Sequence, residues 1–152
     1  MPSISYDEIY EKALSRIDDF KLAQFSQDDF YDAMCKWLHN AASSTLLRKK
    51  FNSFSFDDEI QALNCQLADS VDDDYDKEFV TSILAKGLII NYLPSKIETT
   101  KNFELIVGTD KEKKILDNYK QNMERLEMLE RDFSRELGRH GYYFGNYGGG
   151  NG

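Results

Sequence analysis

The sequence predicts a mainly α-helical, four-helix-bundle-like subunit with a β-hairpin or strand excursion around residues 51–71 and an extended C-terminal tail. Three observations carry that expectation. The 152 residues include only two prolines, Pro2 and Pro94, so long helices can run unbroken. Apolar residues recur at three-and-four spacing in four separate stretches. The chain closes on "YYFGNYGGGNG", Tyr142 to Gly152, where aromatic rings are strung among glycines that give up much backbone freedom on ordering and present no side chain to pack. Residues 1–141 thus read as a single helical domain and 142–152 as an aromatic, glycine-rich tail.

In the first helix, Ser5 followed by Glu8 in "SYDE" is a capping-box pattern, and Tyr6, Ile9, Tyr10, Ala13, Leu14 and Ile17 form one face, predicting a helix over 6–19. Ser26, with Asp28 and Asp29 in the following turn, opens a second helix to about residue 43. Its apolar positions are Phe30, Tyr31, Met34, Trp37, Leu38, Ala41 and Ala42, and "TLLRKKF" adds a short turn or helix. Between Phe51 and Val71, alternation in "FNSFSF" and at Leu63, Cys65 and Leu67 favours a hairpin around "DDE". The helical spacing of Phe56, Ile60, Leu63 and Leu67 is the competing pattern.

"SVDDDYDKEFV" opens a third helix with aspartates at its positive end, and its later half is apolar nearly all round, as a central buried helix would be. It is expected to stop before Pro94. Residues 95–110 read as a loop with a short strand at Phe103 to Val107. A fourth helix follows from about Lys111 to Leu137, carrying a stripe at Leu116, Tyr119, Met123, Leu126, Phe133 and Leu137 that Glu130 interrupts. It would be about 40 Å long, more than one small bundle needs, so part of it is expected to pack on another subunit.

Composition excludes several classes. Hydrophobic residues at 41% and charged residues at 30% are ordinary for a globular chain and argue against wholesale disorder. The longest apolar runs are a handful of residues, against the roughly 18 that a membrane span needs. "MPSISYDEIYEK" lacks the basic start and apolar stretch of a secretory signal, so export by that route is not indicated. Cys35 and Cys65 stand in no CxxC pair and are expected as buried or half-buried thiols of a reducing compartment.

The net charge of −8 is local. Residues 57–78 carry nine acids against one base, Lys77, while the flanking segments nearly balance. A chain that grips phosphates needs clustered Lys and Arg, so this patch has the wrong sign for holding nucleic acid. Asp72, Asp74 and Asp76 alternate as in a calcium loop, but the glycine and the bidentate glutamate that the loop requires are replaced by Lys77 and Ile83. His39 and His140 stand in no GxSxG or HExxH context and read as structural or surface residues. The terminal glycines follow a helix rather than leading into one, so they form no phosphate cradle. No catalytic, cofactor or metal residue is expected. The tail is either a floppy solubilising end or a segment that orders on a partner.

The whole-chain pattern of residues 4–144 is similar to small head-tail connector (neck adaptor) proteins of tailed bacteriophages. The stretches that carry the likeness are "SYDEIYEKALSRIDDF" before a Trp-bearing helix, "FDDEIQAL", "SVDDDYDKEFVTSILAKGLIINYL" and a long charged last helix ending "RELGRHGYY". The resemblance implies a non-enzymatic virion component in the neck between head and tail, assembled in the host cytoplasm. It would form a homo-oligomeric ring, usually dodecameric, beneath the portal protein and above the next neck or tail-terminator protein. Such a ring extends the channel through which DNA is ejected, with DNA as passing cargo and no membrane partner.

On that reading Tyr142, Tyr143, Phe144 and Tyr147 correspond to a portal-docking tail, whereas Gly148 to Gly152 are not demanded by the family pattern. Part of the 57–78 segment, Asp72, Asp73, Asp74 and Asp76, would face the channel and repel phosphates over a Debye length of about 8–10 Å. The chief alternative is a soluble helical protein–protein interaction or regulatory module. An acidic metal-dependent enzyme using the 57–78 carboxylates is a distant third.

Overall fold

The computed structural model describes residues 3–16, 27–107 and 109–140, with side chains described there except at 27–28 and 95–119. The elements run β1 (Ser3–Ser5), α1 (Tyr6–Leu14), α2 (Gln27–Ala42), α3 (Thr45–Arg48), β2 (Phe51–Asp57), β3 (Ala62–Leu67), α4 (Asp73–Val107) and α5 (Thr109–Arg139). The protein is mostly helical, with one small antiparallel sheet of strand order β1-β3-β2.

The capping box forms as the sequence expects. Ser5 Oγ accepts from the Glu8 N–H at 3.3 Å, and the Glu8 carboxylate accepts from the Ser5 N–H at 3.1 Å. Tyr6, Ile9, Tyr10 and Ala13 are the buried face of α1. The helix ends at Leu14, short of the expected residue 19, where the Ser15 hydroxyl donates to the Lys12 carbonyl at 2.7 Å and competes with the helical pattern. Residues 17–19 lie outside the described residues.

The hairpin wins over the helix in residues 51–67. Phe54 pairs with Cys65, Phe56 with Leu63 and Asp57 with Ala62, and a bulge lies between Phe51 and Ser53. The Asp57 carboxylate closes the turn by accepting from the Glu59 and Ile60 N–H groups at 3.1 and 3.4 Å. Gln61 takes φ of 52°, a left-handed position usually left to glycine, and its carbonyl accepts from the Tyr6 N–H at 2.9 Å. That bond ties the turn to the entry of α1. β1 adds to the other side of β3 through Ser3–Asn64, Ile4–Leu63 and Ser5–Ala62. Sequence reasoning missed this three-residue strand.

α4 is the centre of the fold. Val80, Ile83, Leu84, Ala85, Leu88, Ile89, Tyr92 and Leu93 are all buried, as its all-round apolarity predicts. The helix does not stop before Pro94: it runs on to Val107, and helix replaces the loop and short strand expected over 95–107. Proline removes the bond to the carbonyl of Ile90, but Ile90 is only half-buried and lines an open cleft, where water can satisfy that oxygen.

α5 returns antiparallel along α4. Phe79 meets His140, Lys86 pairs with Glu136, and Gly87 lies against Phe133, so paired residue numbers sum to a nearly constant value. The inward stripe of α5 is Leu126, Leu129, Phe133 and Leu137, so Leu129 fills the place that Glu130 seemed to break. Leu116 and Tyr119, at the N-terminal end of the expected stripe, have side chains outside the described residues.

Gly87 sets how closely three helices approach. A Cβ there would sit 2.8 Å from Ala41 Cβ of α2 and 3.3 Å from the Phe133 ring of α5. Gly138, by contrast, has nothing among the described residues within 4 Å of the place a methyl would take. Urea denaturation should therefore show Gly87→Val losing about 1–3 kcal/mol by overpacking. Gly138→Ala should hold or gain up to about 1 kcal/mol from helix propensity. Equal effects at the two positions would contradict the packing described.

Candidate functional site

Two polar assemblies stand out around this core, and the first is the acidic start of α4. The Asp72 carboxylate caps the helix, accepting from the Tyr75 N–H at 2.7 Å. Asp73 and Asp74 are exposed in the first turn, where the helix dipole favours them. Asp76 departs from the expectation of four channel-facing acids. It is wholly buried, accepting from the Val71 N–H at 3.0 Å and from the Ser70 hydroxyl. Its carboxylate satisfies the loop that leads into the helix, and only Asp72, Asp73 and Asp74 form an outward acidic face.

Beside that face, α1 and α4 are laced by the ion pairs Lys12–Glu78 and Lys77–Glu8, in a groove that Asp74 and Glu11 also line. Lys77 beside it holds the Glu8 carboxyl below its usual range. Exposed pairs of this kind contribute little stability each, so the groove is chiefly a charged surface.

The second assembly was not legible as a motif. Cys35 and His39 stand one turn apart on α2, and Asp58 reaches them from the hairpin turn. His39 Nε2 lies 2.9 Å and Cys35 Sγ 4.0 Å from Asp58 Oδ1. The buried Tyr6 donates its phenol to the same carboxylate oxygen at 2.6 Å. The Tyr6 bond first, and then His39, hold Asp58 below the usual carboxylate range. Burial and the Asp58 charge push the Tyr6 phenol up, so it stays a donor at all ordinary pH.

Burial, and secondarily the Asp58 charge, likewise push the Cys35 thiol up. A nucleophilic cysteine needs the opposite environment, one that stabilises its thiolate. Cys65, expected as a buried thiol, is buried in β3, and burial pushes it up to about 11. Aromatic rings wall the Cys35 assembly: Phe56 lies 4.4 Å from the His39 ring and 5.6 Å from Tyr6, and the Phe56–Phe54–Phe51 row continues along β2 to Arg48, stacked over Phe54.

An open cleft of about 420 Å³ lies between the end of α2 and the α4–α5 pair, lined by Asn40, Ser43, Asn91, Glu130 and Phe133 among others. It gathers one carboxylate and neutral amides or hydroxyls, a set suited to water or a peptide edge rather than to acid–base work. No helix among the described residues is long and apolar enough to cross a membrane. Tyr142, Tyr143, Phe144 and Tyr147 lie outside the described residues.

His140, at the end of α5, is buried and stacked on Phe79 at 4.1 Å. Its carbonyl accepts from Lys50 at 3.2 Å, which docks the end of α5 against the loop before β2. Burial lowers its pKa, outweighing the carboxylates of Asp69 and Asp76 that act in the other direction.

Comparison against models of known protein families, against curated proteins and against solved structures finds no match to this chain.

The sign of the His140 effect follows from linkage. An unfolded imidazole titrates near 6.5, and the native one lower, so stability is complete above that value. As pH falls through it, the unfolded state takes up the proton first and stability declines until the native value is passed. His140→Phe keeps a ring on Phe79 and removes the titration. Urea midpoints at about pH 7.5 and about pH 5.5 should therefore fall more for the wild type than for the variant; equal falls would contradict the assignment.

Proposed function

We propose that the protein is a ring-forming head-tail adaptor of a tailed phage, joining the portal to the next neck or tail protein and extending the DNA channel. The observation that carries the reading is the α4–α5 pair. With 35 and 31 residues these helices have contour lengths of about 52 and 46 Å, against a domain of this size only some 30–40 Å across. Helices longer than the domain is wide have turns to spare for contact with neighbouring subunits. Four principal helices, α1, α2, α4 and α5, make a bundle-like body, with the sheet as a cap at one edge.

In a closed ring each subunit presents two different surfaces to its neighbours, and a long helix hairpin offers both from one element. The outward face of Asp72, Asp73 and Asp74 would line the channel and keep the wall repellent to phosphates. Tyr142 to Tyr147 would dock on the portal, their rings acting as anchors, and the terminal glycines would add only slack. The virion neck is then the site of action, with assembly in the host cytoplasm.

Two experiments separate this from a helical interaction or regulatory module with the same body. Deleting Tyr142 to Gly152 should weaken co-sedimentation with the portal while leaving the far-ultraviolet circular dichroism unchanged. Wild-type docking by that truncation would sink the tail's role. Reversing Asp72, Asp73 and Asp74 to lysine, with the buried Asp76 untouched, should slow DNA ejection from assembled particles without preventing ring formation. Ejection at the wild-type rate would remove the acidic-wall idea.

A further inference from the structure

The geometry points to a binding site for a zinc-class divalent cation at Cys35, His39 and Asp58. A thiolate, an imidazole and a carboxylate form a donor set that borderline-soft ions such as Zn²⁺ and Co²⁺ prefer. The three donor atoms lie within 4.8 Å of one another. Ligand bonds of about 2.0–2.3 Å in a tetrahedron put neighbouring donors about 3.3–3.8 Å apart. The observed separations of 2.9 Å for His39–Asp58 and 4.0 Å for Cys35–Asp58 bracket that range. Opening the first by about half an ångström and closing the second slightly would seat an ion.

Local structure supplies what three such ligands need. Positions 35 and 39 are i and i+4 on α2, so both side chains leave the helix on the same face. Asp58 sits in a turn already closed by Asp57, which leaves its own carboxylate free to face α2. The outer shell is present as well. Tyr6 donates to the Asp58 carboxylate, the kind of support that orients metal ligands.

Asp58 is 61% exposed and His39 38%, so an ion has a path in, and the fourth position would be open to water. Binding releases the Cys35 proton to solvent and leaves the thiolate as ligand. The bound ion would staple α2 to the hairpin, two elements otherwise joined there by the His39–Asp58 contact and the Phe56 ring.

The test is Co²⁺ titration of the full chain, reduced and stripped with chelator. The wild type should bind saturably, with a thiolate-to-cobalt charge-transfer band and tetrahedral d–d bands, both displaced by Zn²⁺. Cys35→Ser should lose the charge-transfer band, while Cys65→Ser keeps it. Asp58→Asn, at an exposed turn where the fold tolerates it, should keep the band and weaken binding by more than about tenfold. Tyr6→Phe should weaken it by about tenfold. Absence of saturable binding by folded wild type, binding without a thiolate band, or a band that survives in Cys35→Ser would each overturn the assignment. Affinity unchanged in Asp58→Asn would do the same.

Discussion

Much in this fold depends on keeping the apolar residues between Val80 and Leu93 of α4 out of water. Val80, Ile83, Leu84, Leu88, Ile89 and Leu93 point in several directions around the helix, and each is fully buried. One partner cannot cover such a surface. α1, α2, α5 and the β1–β3 edge must close on it together, each burial removing roughly 1.5–3 kcal/mol of exposed apolar side chain from water. Gly87 is the geometric consequence, because α2 and α5 can converge at that level only where α4 presents no side chain.

The polar groups follow from the same closure. The loop before α4 is drawn inward, and its orphan donors find Asp76, which is why an aspartate in an acidic run ends up buried. Tyr6 is carried into the core by α1 and needs an acceptor; Asp58 supplies it from the hairpin turn. That single requirement draws Asp58 to Cys35 and His39. His140 caps the return of α5 by stacking on Phe79.

Much of this was legible from local rules. The capping box, the central apolar helix and the hairpin each follow from chemistry within a few residues, and each is present. Four features were not. β1 spans three residues, too few for a periodic signal, and exists because Ile4 pairs with Leu63 from the far side of the sheet. Pro94 obeys its usual rule by losing a hydrogen bond, yet α5 packed alongside and solvent at the cleft let α4 continue through it. The Cys35–His39–Asp58 assembly joins two residues of one helix to a third 19 positions beyond His39, where only tertiary structure brings it within reach. Counting the acids of residues 57–78 likewise could not separate the solvent-facing Asp72, Asp73 and Asp74 from Asp76.

The proposed ring rests on a helix pair longer than a domain of this size is wide. The most direct test is the mass of the particle formed when the purified chain meets the portal ring of its phage, read by native mass spectrometry or multi-angle light scattering. The account predicts a closed assembly holding many copies of the chain for each portal ring. A chain that stays monomeric, or binds as a single copy, in the portal's presence would contradict it.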